Sequence, residues 1–158
     1  MAIEIERKFL LKNDSWKVDE KGNDIVGTVF RQGYLKTEDT TVRVRLEGDR
    51  SKLTIKGKTI GMSRLEYEYD IPLADAHEML DKLCQKPLIE KTRYLRKEAE
   101  LTWEIDVFDG ENKGLMVAEI ELTSEDQTVP LSSWVGEEVT GDVRYYNSNL
   151  VNNPFSHW

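Results

Sequence analysis

Cysteine and histidine are scarce in this chain, which has one cysteine, Cys84, and two histidines among its 158 residues. A single cysteine excludes an internal disulfide and a metal cluster built from cysteines alone. No cluster of His and Cys with ligand spacing is present, so zinc and copper sites are not expected. A metal site in this protein would therefore be built from oxygen ligands.

Positive charge and long apolar runs are also in short supply. The chain has 22 Lys and Arg against 30 Asp and Glu, a formal net charge of −8. This balance argues against a nucleic-acid or anionic-membrane partner, because such binding depends on basic excess. No apolar run approaches the ~20 residues of a membrane span, and charge from Glu4 onward leaves no room for the apolar core of a signal peptide. We expect a cytoplasmic protein with one domain over residues 1–158, long enough to bury a sizeable core.

What the chain does contain is a series of like charges placed two residues apart. They occur in seven segments: Glu4–Lys8, Val42–Arg45, Thr54–Lys58, Leu65–Glu68, Glu90–Arg93, Trp103–Asp106 and Ala118–Leu122. Side chains alternate faces along a β-strand, so each pair points to one side and the intervening apolar residues point to the other. Charged residues are rarely buried unless they are paired or metal-bound. The pattern predicts a sheet with one apolar face and one face suited to a highly charged anion and a divalent metal.

The predicted elements favour a mainly antiparallel β (α+β) protein. Eight strands are expected, at Ile3–Leu11, Val26–Leu35, Thr41–Glu47, Lys52–Lys58, Ser63–Ile71, Lys91–Glu98, Leu101–Phe108 and Leu115–Thr123. Short connections between most of them are typical of antiparallel meanders. Helices are predicted between Pro72 and Pro87 and over Asp142–Leu150, with a brief turn at Ser15–Lys21. We predict a closed eight-stranded barrel whose charged face lines the lumen, with a few flanking helices on the apolar outside. A closed barrel has no free edges, so strand pairing gives no argument for a dimer.

The charged residues fall into a basic and an acidic set on separate strands. A triphosphate carries about four to five negative charges near neutral pH, which matches the basic set in size. The acidic set offers the oxygen ligands that Mg²⁺ prefers. Each pair alone is more often a solvated strand face, but segregation by sign argues against that interpretation. The basic residues are Lys8, Arg43, Arg45, Lys56, Lys58, Lys91 and Arg93. The acidic residues are Glu4, Glu6, Glu66, Glu68, Glu104, Asp106, Glu119 and Glu121.

The opening Glu4-Ile5-Glu6-Arg7-Lys8 resembles the ExExK signature of the CYTH proteins, also called triphosphate tunnel metalloenzymes. The resemblance continues in chain order, through Gln32–Leu35, Val42–Arg45, Leu53–Lys58, Glu66–Asp70, Glu90–Tyr94, Trp103–Phe108, Ala118–Leu122 and Glu138–Asp142. It implies an eight-stranded antiparallel tunnel that holds a triphosphate and requires Mg²⁺ or Mn²⁺. It also implies that the basic set binds phosphate.

The same resemblance suggests roles for single residues. Glu4, Glu6, Glu119 and Glu121 are expected to hold metal. Glu66, Glu68 and Asp106 would hold a second metal, position its waters or orient the basic side chains, and we include Asp106 among the metal candidates. Glu6 or Glu68 would orient the attacking water, and Tyr34 would contact the terminal phosphate or that water, unless it only packs. The role of Glu104 is ambiguous. Arg144 would close a tunnel mouth unless it is a surface arginine.

Hydrolysis of a phosphoanhydride is the favoured function, most of all the hydrolysis of inorganic triphosphate to pyrophosphate and phosphate. A class IV-type adenylate cyclase would need contacts to adenine and ribose, for which no set of residues is evident. A thiamine or nucleoside triphosphatase would leave an organic group at a tunnel mouth with few contacts. A non-catalytic polyphosphate-binding module would be expected to lack the metal carboxylates, which are present.

Overall fold

Nine β-strands and two α-helices are found in the computed structural model, which describes residues 3–158. The predicted domain therefore begins two residues before the described range. The strands are β1 (Ile3–Leu11), β2 (Thr28–Leu35), β3 (Thr41–Glu47), β4 (Arg50–Lys56), β5 (Ser63–Asp70), β6 (Ile89–Glu98), β7 (Leu101–Phe108), β8 (Met116–Glu121) and β9 (Val135–Glu138). The helices are α1 (Leu73–Lys82) and α2 (Asn147–Leu150). The eight predicted strands are all present, with ends within two residues of the expected positions.

The first eight strands form a closed antiparallel barrel. The order around it is β5, β4, β3, β2, β6, β7, β8 and β1, and β5 pairs with the start of β1 to close the ring. The closing register places Ile3 opposite Leu65 and Ile5 opposite Ser63. This confirms the predicted eight-stranded barrel with flanking helices.

The ninth strand, β9, was not predicted. It pairs with the C-terminal end of β1, past the residues of β1 that pair with β5. There Phe9 lies opposite Glu138 and Leu11 lies opposite Val135. Its four residues carry too little alternation to be recognised as a strand. A Cβ at Gly136 would lie 2.9 Å from the backbone oxygen of Leu10, so the absent side chain lets β9 approach β1 closely.

Much of the outward face of the barrel is apolar and covered, as the alternation predicts, whereas Leu65, Tyr67 and Tyr69 of β5 stay exposed. Helix α1 packs Ala76 and Leu80 against Val44 and Leu46 of β3. A second cluster centres on Trp103, which is completely buried and packs edge-on against Phe9 and Trp134. Burial of these outward-facing side chains stabilises the barrel from outside, which leaves its interior free for polar groups. Within residues 3–158, no helix has the length and apolar character needed to span a membrane.

One end of the barrel interior is filled by the C-terminal segment. The predicted helix over Asp142–Leu150 is divided at Tyr146, whose backbone is extended, into a 3₁₀ turn at Val143–Tyr145 and the short α2. Tyr145, Leu150 and Val151 pack against inward-facing apolar residues of the barrel, among them Ile89 and Phe108. The lumen is therefore charged over only part of its length, and packed side chains fill part of its inner end.

Candidate active site

The charged half of the barrel encloses a cavity of about 560 Å³. It narrows toward the C-terminal segment into a space of about 40 Å³ lined by residues that include Lys8, Tyr34, Lys91, Tyr146 and Asn147. Six of the seven predicted cations line one or both spaces, namely Lys8, Arg43, Arg45, Lys56, Lys91 and Arg93. Seven of the eight predicted acidic residues line the cavity: Glu4, Glu6, Glu66, Glu68, Glu104, Glu119 and Glu121. The period-two pattern of the sequence thus brings these side chains together in one chamber.

The cations are crowded and removed from water. Arg43 and Arg45 are each 6% exposed, and Lys91 is 1% exposed. Burial lowers the pKa of Arg45 to about 10, and the neighbouring Arg43 and Arg93 contribute to the same shift. Burial likewise lowers the pKa of Lys91 to about 7, against the opposing attraction of Asp106. Both shifts arise because positive charge is poorly solvated here, and a polyanion in the chamber would relieve that cost.

Asp106 organises the inner cations. Its Oδ1 accepts a hydrogen bond from Arg93 Nε at 2.8 Å, and its Oδ2 accepts from Arg93 Nη2 at 2.9 Å and Lys91 Nζ at 2.7 Å. Burial alone would raise the pKa of Asp106, but Arg93 and Lys91 hold it well below its usual range. With both oxygens engaged, Asp106 is placed to orient Lys91 and Arg93. This geometry does not favour the predicted metal role of Asp106.

The carboxylates of β1 and β8 form the opposite wall. In the register, Glu6 lies opposite Glu121, and Lys8 lies opposite Glu119. Burial, together with repulsion from Glu119 and Glu4, raises the pKa of Glu6 well above its usual value. Burial also raises the pKa of Glu121, with further repulsion from Glu104 and Glu4. These carboxylates therefore crowd one another without enough cations to balance them.

Glu4 and Glu66 share one lysine. Lys56 Nζ lies 2.8 Å from Glu4 Oε2 and 3.6 Å from Glu66 Oε2. Burial raises the pKa of Glu66 to about 7, and its hydrogen bond with Glu4 acts in the same direction. Burial would also raise the pKa of Glu4, but the contacts with Glu66 and Lys56 hold it below its usual range. At neutral pH this corner of the chamber carries more carboxylate than one lysine can neutralise.

The donor set fits a hard divalent cation in part. All the candidate ligands are carboxylate oxygens, the type that Mg²⁺ and Mn²⁺ prefer. Within residues 3–158, however, no three His, Cys, Asp or Glu side chains already converge on a common point. Mg²⁺ in phosphate-handling sites is commonly held by one or two carboxylates, with waters and substrate oxygens completing the shell. The unbalanced carboxylates Glu6, Glu66 and Glu121 fit that mode of binding.

The predicted catalytic residues lie at different depths. Tyr34, 6% exposed, sits at the narrow inner end, where its hydroxyl accepts a hydrogen bond from Gln32 Nε2 at 2.9 Å. Glu68 lies on the wall of the wider cavity, where it accepts from Thr54 Oγ1 at 3.0 Å and Lys52 Nζ at 3.1 Å. Burial would raise the pKa of Glu68, but these two hydrogen bonds lower it. Glu6 borders both spaces.

Comparison with known proteins agrees with this architecture. The CYTH domain matches residues 2–149. The chain belongs to the CYTH family. It is 49% identical over 159 residues to an inorganic triphosphatase of Acetivibrio thermocellus, an alignment that covers 100% of this chain and 99% of that protein. It is 39% identical over 154 residues to an inorganic triphosphatase of Nitrosomonas europaea, with 94% and 96% covered. A crystal structure of an inorganic triphosphatase superposes with a TM-score of 0.66 at 36% identity, covering 96% of this chain and 95% of that one.

In this CYTH protein, the positions of Lys58 and Arg144 do not support the roles predicted for them. Lys58 follows the end of β4, is exposed, and lines neither space of the chamber; it borders a surface depression that adjoins the inner space at Tyr34 and Arg64. The alternation that places Lys56 inward no longer applies once the strand has ended. Arg144 is exposed, pairs with Asp142 at 2.8 Å and lies over the rings of Tyr145 and Trp158. It is a surface arginine that secures the C-terminal segment.

Glu104 is no longer ambiguous. It lines the cavity and accepts a hydrogen bond from Arg93 Nη1 at 2.8 Å, whereas Trp103 points into the outer core. Three further polar residues of the inner end were missed: Gln32, Arg64 and Asn147. Gln32 shares a face with Tyr34, and Arg64 shares a face with Glu66, so strand alternation could have identified both. Asn147 could not have been found this way, because its position depends on where the C-terminal segment enters the barrel.

Proposed function

We propose that this CYTH protein is a divalent-metal-dependent inorganic triphosphatase that hydrolyses triphosphate to pyrophosphate and phosphate. The observation that carries this proposal is a chamber inside the barrel lined by both cations and carboxylates, in which five of the six predicted cations that line it are buried. Each of the six has a carboxylate oxygen within 3.6 Å, so a ligand has to compete with those ion pairs, and a single sulfate or carboxylate has too little charge to engage most of them. A linear triphosphate matches the chamber in charge and supplies oxygens to complete a metal shell.

The side chains of the chamber suit in-line attack by water on a terminal phosphorus. The water oxygen forms a bond to phosphorus and gives up a proton to a neighbouring carboxylate or to the phosphate formed, as the bridging P–O bond breaks and the negative charge passes to the departing pyrophosphate. Arg43, Arg45 and Lys56 would bind the phosphate oxygens and stabilise that charge in a site shielded from water. Tyr34 would donate its hydroxyl hydrogen to a phosphate at the inner end.

Two acidic residues are candidates to orient the attacking water. Glu6 lies deep, between the two spaces, and Glu68 lies on the outer wall and is held ionised by Lys52 and Thr54. When bound, Mg²⁺ or Mn²⁺ would be held by carboxylates among Glu4, Glu6, Glu119 and Glu121 and would supply Lewis-acid stabilisation of the phosphate charge. We place the protein in the cytoplasm, as a single domain over residues 1–158, with no nucleic-acid or membrane partner.

The shape of the chamber supports inorganic triphosphate over an organic one. The C-terminal segment narrows the inner end to about 40 Å³, so an organic group would fit more readily at the outer mouth. The apolar ring facing the chamber, Phe30, is already covered by Arg45 and Arg93, whose guanidinium carbons lie 4.9 and 5.0 Å from its centroid. The other apolar side chain that lines this cavity is Leu95, which is 51% exposed, so an adenine or thiazolium ring would find little more than one leucine and gain little binding energy.

The test is product analysis by phosphorus NMR with inorganic triphosphate, ATP and thiamine triphosphate, each with Mg²⁺ or Mn²⁺. We expect pyrophosphate and phosphate from inorganic triphosphate, with kcat/KM about 100-fold above that for ATP, which corresponds to about 2.7 kcal/mol. Thorough chelation should abolish turnover. Comparable rates on ATP, or a cyclic nucleotide product, would instead support a nucleotide-acting enzyme. Tight binding without turnover under every metal condition would indicate a polyphosphate-binding module.

A further inference from the structure

Asn147, the first residue of α2, contacts two buried donors of the barrel. Its Oδ1 lies 3.0 Å from Lys91 Nζ and 3.2 Å from Gln32 Nε2. Lys91 is 1% exposed and Gln32 is 0% exposed, so neither donor can turn to bulk water instead. An ammonium group only donates hydrogen bonds, so the side-chain oxygen of Asn147, and not its amide nitrogen, must face Lys91.

The contact extends through Gln32 to two residues of the chamber. Gln32 Nε2 also donates to the Tyr34 hydroxyl at 2.9 Å, and Gln32 Oε1 accepts from Arg45 Nε at 2.8 Å. The Tyr34 oxygen therefore receives a hydrogen bond, and its own hydrogen is left to point toward the chamber. One side chain of the C-terminal segment thus bears on Lys91 directly and on Arg45 and Tyr34 through a single glutamine.

The C-terminal segment meets the inner cations with neutral groups. Besides the Asn147 amide, the backbone oxygen of Tyr145 accepts from Lys8 Nζ at 3.3 Å. The ring of Tyr146 lies 5.3 Å from Lys8 Nζ. Lys91 and Lys8 each already pair with one carboxylate, Asp106 at 2.7 Å and Glu119 at 3.4 Å. Neutral acceptors fix the direction of these cations without adding negative charge, whereas a further carboxylate would repel an incoming polyanion.

We propose that Asn147 is a positioning residue, which holds Lys91 and Gln32 at the floor of the chamber through a neutral oxygen and so adds no second negative charge, beside that of Asp106, where triphosphate binds. The proposal rests on the proposed function for the identity of the substrate. It assigns to the C-terminal segment a role in substrate binding that goes beyond closing the barrel.

The experiment compares three variants of the full chain: Asn147→Asp, Asn147→Ala and the control Asn149→Ala. Asn147→Asp keeps the shape and the acceptor but adds a negative charge beside Lys91. Asn147→Ala removes the acceptor. Asn149 lies in the same helix and donates to the backbone oxygen of Val143 at 2.7 Å, but it touches neither space of the chamber. Its replacement therefore loosens α2 without altering the floor.

The expected results separate positioning from simple loss of structure. Asn147→Asp should raise KM at least 10-fold and weaken triphosphate binding, measured by calorimetry without added metal, by a similar factor. Asn147→Ala should lower kcat about 10-fold with a smaller change in KM. Asn149→Ala should keep both constants within about 2-fold of wild type even if its melting temperature falls. Equal kinetic effects in Asn147→Ala and Asn149→Ala, or an unchanged KM in Asn147→Asp, would overturn the proposal.

The calorimetric measurement of triphosphate binding separates a failure of this proposal from a failure of the proposed function. A wild type that binds triphosphate without hydrolysing it, while Asn147→Asp binds it at least 10-fold more weakly, would overturn the proposed function and support the role of Asn147. A wild type that hydrolyses triphosphate, with Asn147→Asp indistinguishable from it, would support the function and overturn the role of Asn147.

Discussion

Replacement of Asp106 by asparagine should strongly destabilise the protein. Asp106 is 1% exposed and accepts three hydrogen bonds from Arg93 and Lys91. Asparagine keeps the shape but loses the charge, and its NH₂ group would face at least one of those donors. Removing one partner from a buried ion network costs about 3–5 kcal/mol. At about 2–4 °C per kcal/mol for a domain of this size, the melting temperature should fall by roughly 6–20 °C.

The assay is thermal unfolding at pH 7, with Glu104→Gln as the matched control. Glu104 accepts from the same Arg93, also at 2.8 Å, but its side chain is 31% exposed. An ion pair open to solvent contributes about 0–1 kcal/mol, so the control should lose at most about 4 °C. If Asp106→Asn melted within 2 °C of wild type, or at the same temperature as Glu104→Gln, the assignment of Asp106 as the residue that compensates the inner cations would be refuted.

The same variant has a predictable response to pH and to triphosphate. The pKa of Asp106 is depressed in the folded state. Its contribution to the free energy of unfolding is therefore present above its ordinary pKa of about 3.9 and is lost as the pH falls below that value. The difference in melting temperature between wild type and Asp106→Asn should therefore become smaller at acidic pH. Triphosphate should raise the melting temperature of the variant more than that of wild type, because a bound polyanion replaces part of the missing charge.

Three further predictions concern other parts of the chamber. The pKa of Glu66 is raised to about 7, so it binds its proton more tightly when folded, and metal-free stability should fall as pH rises from about 4.5 to 7. In chemical unfolding, the free energy of unfolding of Glu66→Gln should decrease over this pH range by about 1–2 kcal/mol less than that of wild type, a figure discounted because the side chain is 26% exposed. The same dependence on pH in both proteins would contradict the raised pKa. Arg45→Ala should cost about 2–4 kcal/mol in kcat/KM, whereas Lys58→Ala should change it by less than 2-fold, and equal losses would place Lys58 in the site after all. Glu6→Gln should abolish turnover while holding or raising the melting temperature of the metal-free protein, because it relieves repulsion from Glu4 and Glu119; an active or unfolded variant would count against that role.

Much of the barrel could be predicted from the sequence because its strands are locally regular. A period of two decides which side chains point inward, and short turns decide which strands are neighbours. That reasoning correctly placed Arg43, Arg45 and Lys56 in one chamber. It failed for Lys58 because alternation ends with the strand, and the last residue of a strand cannot be located from alternation alone.

The packing of the C-terminal segment into the inner end could not be predicted, since it depends on contacts between segments far apart in the chain. The apolar inward-facing residues Ile89 and Phe108 alternate correctly with their neighbours, but nothing local shows that they meet the C-terminal segment. The position of Asn147 depends on the break in the helix at Tyr146. An isolated sequence window favours one continuous helix there, and tertiary packing overrides it.

The charges that are separated along the sequence are paired with one another in the structure. Acidic and basic residues are segregated along the chain, yet the register sets Lys8 against Glu119 and Arg93 against Asp106. The cations are therefore engaged by carboxylates before any substrate arrives. A phosphate that takes Lys56 leaves Glu4, 2.8 Å from it, with Arg64 at 4.0 Å as its remaining partner. Exchange of these ion pairs would be more favourable when a divalent cation takes the carboxylate as the phosphate takes the lysine, so we expect binding of metal and binding of triphosphate each to strengthen the other.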